Sequence, residues 1–285
     1  MNFDTLSTFQ TIADCGSLTK AADRLRISQP ALSRTLRLLE SELGFSVFDR
    51  TGNSLSLNQN GEKFLNTVRK ILSEYHACVG ELRESNGINS HMIIITFSSV
   101  GNAIPYLTYA FRKLHPESTY TLRSGRFSRS DTSTNFFIMS SYHPIEDKFH
   151  TLLAKEPLYI TMSSSNPLSQ SKLLKLSDMK GKTFLYSGEE NDMYETQLHF
   201  CEQAGLSPVA ENIVSKQNVL LMLIHLNMGI SLLPRIEGEM VKQVPVSDMT
   251  CFRYVYLIRN PNTFQSALCR KFEKFTIQYF KNKYM

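Results

Sequence analysis

No apolar run in this 285-residue chain approaches the ~20 residues that a membrane-spanning helix needs. The N-terminus enters an amphipathic pattern directly, with no basic segment leading into an apolar one. The expectation is a cytoplasmic protein with no membrane partner. Cysteine is scarce: Cys15, Cys78, Cys201, Cys251 and Cys269 are an odd number with no Cys-x-x-Cys pair. That spacing argues against a disulfide framework or a zinc site and suits buried or idle thiols in a reducing compartment. Catalytic signatures are missing as well. G-x-S-x-G, H-E-x-x-H and G-x-G-x-x-G do not occur, and the histidines show no ligand spacing. The one phosphate-loop fragment, Gly181-Lys182-Thr183, has Leu176 where the motif requires a glycine, and reads as a turn into a strand. No catalytic residue, metal ligand or cofactor is expected, and the chain is not read as an enzyme.

What is present suits packed cores: 42% of residues are apolar, and the length accommodates roughly two domains. The net charge of +5 suggests affinity for polyanions, but over residues 1–86 ten basic residues cancel ten acidic ones. Position is more informative. Lys20, Arg24, Arg26, Arg34 and Arg37 cluster against the single acid Asp23, as phosphate binding requires.

Residues 4–14 read as a helix capped by Asp4, with Leu6, Phe9 and Ala13 on one face and Gly16 as its stop. Ser17 can cap a short helix, TKAADRL, in which Ala21, Ala22 and Leu25 pack closely, and Arg26-Ile27 form a turn. A third helix is densely signalled by Ser28 as cap, Pro30 in the first turn, and Leu32, Leu36, Leu39 and Leu43 as a core stripe ended by Gly44. Its opposite face carries Gln29, Pro30, Ser33, Arg34 and Arg37, suited to base edges and phosphates in a major groove, or equally to a solvated surface. FDRTGNSLSLN then supplies a Gly-Asn turn with alternating Leu55 and Leu57, a small wing with Arg50 at its base.

GSLTKAADRL, SQPALSRTLRLLESELG, FDRTG and LNQNGEKFL together resemble the LysR-type family of bacterial transcription regulators, continuously over about seventy residues. The resemblance implies sequence-specific binding of double-stranded DNA. Gln29, Pro30, Ser33 and Arg34 are similar to groove-reading positions, while Thr19, Arg37, Arg50 and Thr51 resemble backbone contacts.

From Asn58 to about Arg83 there is no proline, and Leu65, Val68, Leu72, Tyr75, Val79 and Leu82 recur at spacings of three and four. A helix of ~26 residues spans ~39 Å and overhangs so small a domain. The stripe therefore reads as a dimerisation seam rather than an in-domain face. A twofold dimer predicts an inverted-repeat operator; in the resembled family such dimers commonly pair into tetramers.

ESNGINSH, residues 84–91, is a polar hinge, and MIIITF after it opens an α/β alternation. Later elements are a helix over Val219 to Leu226 closed by Gly229, a strand ENIV, and a final helix with Phe264, Leu268, Phe272 and Phe275 on one face. The order resembles the two-lobed, periplasmic-binding-protein-like effector domain of the same family, most clearly in NVLLMLIHLNMGISLLPR and FRKLHPES. The expected organisation is a winged helix-turn-helix domain over 1–58, a linker helix over 59–86 and an effector domain over 91–285. Lobe I would cover about 91–162 and 260–285, lobe II about 163–259, with crossings near Ser163 and Arg259. By the resemblance, a small-molecule effector lies between the lobes. Candidate contacts are Ser98, Ser99, Ser163, Ser164, Gln217 and Asn218, since hydroxyls, amides and N–H groups at helix N-termini bind small anions; serines after strands also serve as plain caps.

The positive excess downstream of residue 86 suits an anionic ligand and equally suits solvated lysines. Where family members carry a helix and an acidic residue before NFFIMSS, this chain has only RFSRSDTST, which alters one wall of the expected cleft. Two rival readings are a thiol-based redox sensor, for which Cys201 stands near the family's sensing position but alone, and a regulator whose C-terminal domain serves only assembly.

Overall fold

The computed structural model describes residues 2–51, 54–87, 91–100, 103–128, 131, 133–189, 191–206, 213–236 and 238–284, with the side chains of Arg50, Thr51, Ser54 and Tyr284 outside the described set. Two compact units are formed. The first holds Met1–Ser90 with the short segments Ser128–Ser133 and Pro261–Ser266; the second holds His91–Phe127, Thr134–Asn260 and Ala267–Met285.

In the first unit α1 (Phe3–Cys15), α2 (Leu18–Leu25) and α3 (Gln29–Leu43) precede a two-stranded wing, β1 (Phe48–Thr51) and β2 (Ser54–Leu57), and the long α4 (Gln59–Ser85). Local chemistry sets the boundaries. Ser17 and Ser28 accept from the backbone N–H groups of Lys20 and Ala31, and Gly44 closes α3 at φ 80°, where a side chain is disfavoured. One expected cap is corrected: Asn2, not Asp4, caps α1, its Oδ1 accepting from Thr5 N at 2.8 Å, which leaves Asp4 in the first turn, beside the positive end of the helix dipole. Leu6, Phe9 and Ile12 of α1, Ala21 and Ala22 of α2, and Leu32, Leu36 and Leu39 of α3 form one core with Val47, Phe48 and Leu55. β1 and β2 pair antiparallel, Phe48 opposite Leu57 and Thr51 opposite Ser54; the Gly52-Asn53 turn lies outside the described residues.

The stripe on α4 divides. Leu65, Val68 and Leu72 are buried in the unit's own core, where Phe64 of α4 meets Phe9 of α1 at 4.9 Å between ring centroids. They cannot serve as a seam between chains, and the expectation is corrected for those three residues. Tyr75 and Leu82 are exposed and Val79 is half-buried, so only the C-terminal half of α4 presents its stripe outward. The cause is length: the first turns of the helix complete a three-helix core, and the rest run beyond it.

In the second unit β3 (Met92–Phe97), α5 (Ala103–Leu114) and β4 (Thr119–Ser124) form a parallel crossover, and β5 (Phe136–Ser141) joins β3 on its other side. The thirteen-residue β6 (His150–Met162) precedes β7 (Tyr186–Ser187), α6 (Asp192–Gln203), β8 (Ile213–Val214), α7 (Gln217–His225), β9 (Ser231–Pro234), β10 (Lys242–Pro245), β11 (Phe252–Arg259) and α8 (Ala267–Tyr284). Ladders run β10-β6-β11-β5-β3-β4, with β9 also on β6. Two cores result. Ile93, Ile95, Ile104, Phe136, Leu153, Val255 and Phe272 build lobe I; Leu158, Ile160, Met162, Leu185, Phe200, Leu220 and Leu232 build lobe II.

The lobe crossings differ from expectation. β6 pairs with β11 up to Pro157 opposite Phe252, then with β9 and β10 from Leu158 onward, so the chain changes lobes inside β6 and returns at Cys251–Phe252. Ser163 and Arg259 are not the crossing points, and β11 belongs to lobe I. A continuous strand can carry the crossing because each half finds its own ladder partners. Two further expectations shift. α7 is followed by Asn227 in the left-handed region at φ 58°, whereas Gly229 is needed where a Cβ would come within 2.9 Å of the Thr183 carbonyl oxygen. Phe264 lies before α8, whose inner face is Leu268, Phe272 and Phe280.

Candidate nucleic-acid interface and effector cleft

Burying Leu32, Leu36 and Leu39 turns Gln29, Pro30, Arg34 and Arg37 of α3 to solvent, with Ser33 half-buried beside them. Arg37 Nε donates to the Ser33 carbonyl at 3.4 Å. Thr19, Lys20 and Arg24 of α2 and the following Arg26 are exposed. None of Lys20, Arg24, Arg26, Arg34 and Arg37 forms an ion pair with a described residue. Five exposed cations on and beside two successive helices are available to phosphates without breaking an ion pair to a described residue. Arg50 and Thr51 lie on β1, opposite Leu55 and Ser54, but their side chains lie outside the described residues.

In the second unit the two lobes meet around a carboxylate. Asn191 caps α6, its side chain accepting from Met193 N, and Asp192 is the first helical residue. Asp192 Oδ2 accepts from the Ser98 hydroxyl, just after β3, and from Ser140 N of β5 at 3.1 Å. Arg126, after β4, stands 3.9 Å from Asp192 Oδ1 and pairs with Glu195 of α6 at 2.9 Å. Burial raises the Asp192 carboxyl above its ordinary value, against the lowering effect of Ser98, Ser140 and Arg126. Beside it Ser99 and Ser140 share a hydroxyl hydrogen bond of 2.7 Å. A cavity of about 240 Å³ opens here, lined by Arg126, Phe127, Met139, Ser140, Tyr142, Asp192 and Glu195 among others.

At the crossing, Arg253 of β11 and Glu156 of β6 form a buried ion pair of 2.7–2.8 Å, and Arg253 Nη1 also donates to the Ser99 carbonyl at 3.0 Å. Cys201 and Cys251 lie in the lobe II core, and burial pushes both thiols up to about 12. Such thiols are almost wholly protonated near neutrality, the opposite of a reactive setting.

Residues 3–62 match the profile described as "Bacterial regulatory helix-turn-helix protein, lysR family", and residues 88–281 match "LysR substrate binding domain". The chain belongs to the LysR family. It is a LysR-type DNA-binding transcription regulator with an α/β effector-binding domain. Over 294 residues it is 26% identical to the uncharacterized HTH-type transcriptional regulator YybE of Bacillus subtilis, covering 98% of this chain and 99% of that one. Over 274 residues it is 27% identical to the HTH-type transcriptional regulator BenM of Acinetobacter baylyi, covering 88% of each. The solved structure of a full-length OxyR variant from Pseudomonas aeruginosa superposes with a TM-score of 0.62 at 18% identity, over 99% of this chain and 95% of that one, a likeness of fold.

Within this LysR-type chain the structure brings Ser98 and Ser99 to the lobe junction, Ser98 directly onto Asp192. None of the six effector candidates lines the 240 Å³ cavity itself; Ser98 and Ser99 lie behind its wall, on Asp192 and Ser140. Ser163 donates to the His225 carbonyl at 2.9 Å inside lobe II, Ser164 and Asn218 are exposed, and Gln217 opens α7 half-buried. Sequence reasoning missed Asp192, Arg126, Glu195, Arg253 and Glu156. Asn191-Asp192 did signal a helix start, but an acid in a first turn is ordinary, and nothing local marks it as the acid that reaches another lobe.

Proposed function

We propose that α3 reads an inverted-repeat operator through the major groove, with Gln29, Pro30, Ser33 and Arg34 at base edges and Thr19, Arg37, Arg50 and Thr51 on phosphates. The carrying observation is the set of five exposed cations, on and beside α2 and α3, that form no ion pair with a described residue. Residues 1–58 act as the DNA-binding domain, 59–86 as the linker and 91–285 as the effector domain. Two copies pair through the outward C-terminal half of α4, where Tyr75 is 46% and Leu82 57% exposed. The twofold then sets two recognition helices about one DNA turn apart or a multiple of it.

A small molecule in the inter-lobe cavity favours one lobe arrangement and so changes how the paired helix-turn-helix domains engage DNA. The chain works as a cytoplasmic regulator and not as an enzyme; no helix among the described residues is long and apolar enough to cross a membrane. The deciding experiment is footprinting on the intergenic DNA upstream of the chain's own gene, titrated with salt against random duplex. Protection of an inverted repeat that survives competitor supports the reading; binding that is only non-specific and salt-labile overturns it.

A further inference from the structure

The cavity between the lobes already contains a bound carboxylate, supplied by the chain. A hydroxyl and a backbone N–H on lobe I, from Ser98 and Ser140, converge on one oxygen of Asp192, which arrives from lobe II on the first turn of α6. Two such donors meeting at one point are what an anionic ligand would use. Arg126 is already engaged by carboxylates of the chain, its Nη1 with Glu195 at 2.9 Å and its Nε 3.9 Å from Asp192. The ionisable side chains on the cavity wall are therefore two carboxylates, Asp192 and Glu195, the Arg126 guanidinium and the His143 imidazole, whose Nδ1 faces the Pro144 carbonyl. The remaining wall includes Tyr142, whose ring stacks on His199 at 4.2 Å, together with Phe127 and Met139. Aromatic faces beside two carboxylates that share one guanidinium receive cations better than anions. At about 240 Å³ the space limits the ligand to a small molecule.

We propose that Asp192 determines the effector specificity of this cleft by acting as its built-in carboxylate, so that the cavity refuses anions and takes a small organic cation such as an alkylammonium. The inference rests on the reading that the inter-lobe cavity is the effector site. It differs from the anionic ligand that the net charge suggests.

The test uses the full-length protein and two probes of matched size and opposite charge, butylammonium and butyrate, read by calorimetric titration and by melting temperature. The expected result is saturable binding of butylammonium alone to the wild type. In Asp192→Ala the ammonium should weaken by about tenfold or more and butyrate binding should appear, since the donors of Ser98 and Ser140 are released. Asp192→Asn, which keeps the shape and removes the charge, serves if the alanine variant does not fold, and should weaken butylammonium without admitting butyrate. Butyrate binding equally to wild type and Asp192→Ala, ammonium binding indifferent to both substitutions, or silence of both probes on every variant overturns the proposal. Met139→Trp, which fills the cavity, separates this from the cleft reading itself. If a metabolite that changes the DNA footprint still binds Met139→Trp, the effector site lies elsewhere; if it is lost there but is an anion, only the role of Asp192 falls.

Discussion

Arg253 and Glu156 sit opposite each other on β11 and β6 and form an ion pair with side chains only 5% and 8% exposed, at the point where the chain passes between lobes. The guanidinium has further partners in the Ser99 carbonyl and the Met193 sulfur. Removing the acid alone strands a buried cation. Glu156→Ala is expected to destabilise the second unit by about 3–5 kcal/mol, and Glu156→Leu combined with Arg253→Met by much less. Urea unfolding followed by hydrogen exchange in β6 and β11 reads both; equal losses for the single and the double variant would contradict the account.

A methyl group at Gly61 would overlap the Val47 carbonyl oxygen and come within 2.8 Å of Leu57 Cδ2. The same carbonyl accepts from Asn58 N at 3.2 Å, so it cannot move away without releasing the start of α4. Gly61→Ala should therefore cost the first unit about 1–3 kcal/mol despite the better helix propensity of alanine. Faster amide exchange in the wing and the first turns of α4 is the expected signature.

Arg34→Ala should weaken binding to the operator by about 1–3 kcal/mol and relax preference at one base position. Arg37→Ala should instead weaken all duplexes alike and reduce the salt slope by about one. Fluorescence anisotropy with operator and random DNA at several salt concentrations distinguishes them; matching losses on both duplexes for Arg34→Ala would remove it from the groove-reading set.

Cys201 and Cys251, with thiols pushed up to about 12 by burial, should resist alkylation and peroxide in the folded protein at pH 7–8, while the exposed Cys78 reacts. Mass spectrometry after a timed iodoacetamide pulse checks the order. Rapid native-state modification of Cys201 would restore the redox-sensor reading.

Burial raises the Asp192 carboxyl, with Glu195 adding to the rise while Ser98, Ser140 and Arg126 oppose it. A group that holds its proton more tightly when folded contributes stability below its unfolded value, and that contribution is lost as pH rises through the folded value. The second unit of the wild type should therefore lose stability relative to Asp192→Asn as pH climbs from the ordinary aspartate range through the raised one. Parallel melting curves for the two proteins over that range would contradict it.

Much of the first unit was legible in sequence because its signals are local. Ser17, Ser28, Gly44 and the leucine stripe of α3 each act within a turn or two of themselves, and the structure uses all of them as caps, stop and core. Where two local signals compete, the outcome is less legible: Asn2 and Asp4 are both good caps, and the geometry of Thr5 selects Asn2.

The amino-acid sequence by itself determined the order of elements, the family and the outward face of α3, since periodicity and caps depend on neighbours a few residues apart. Tertiary structure alone decided which half of the α4 stripe is core, where β6 changes lobes, and that Asp192 lies against Ser98 and Ser140, residues 94 and 52 positions away. Each of these depends on what the rest of the chain brings alongside. A leucine on a helix face or an acid in a first turn looks the same in sequence whether it meets water, a core or the opposite lobe.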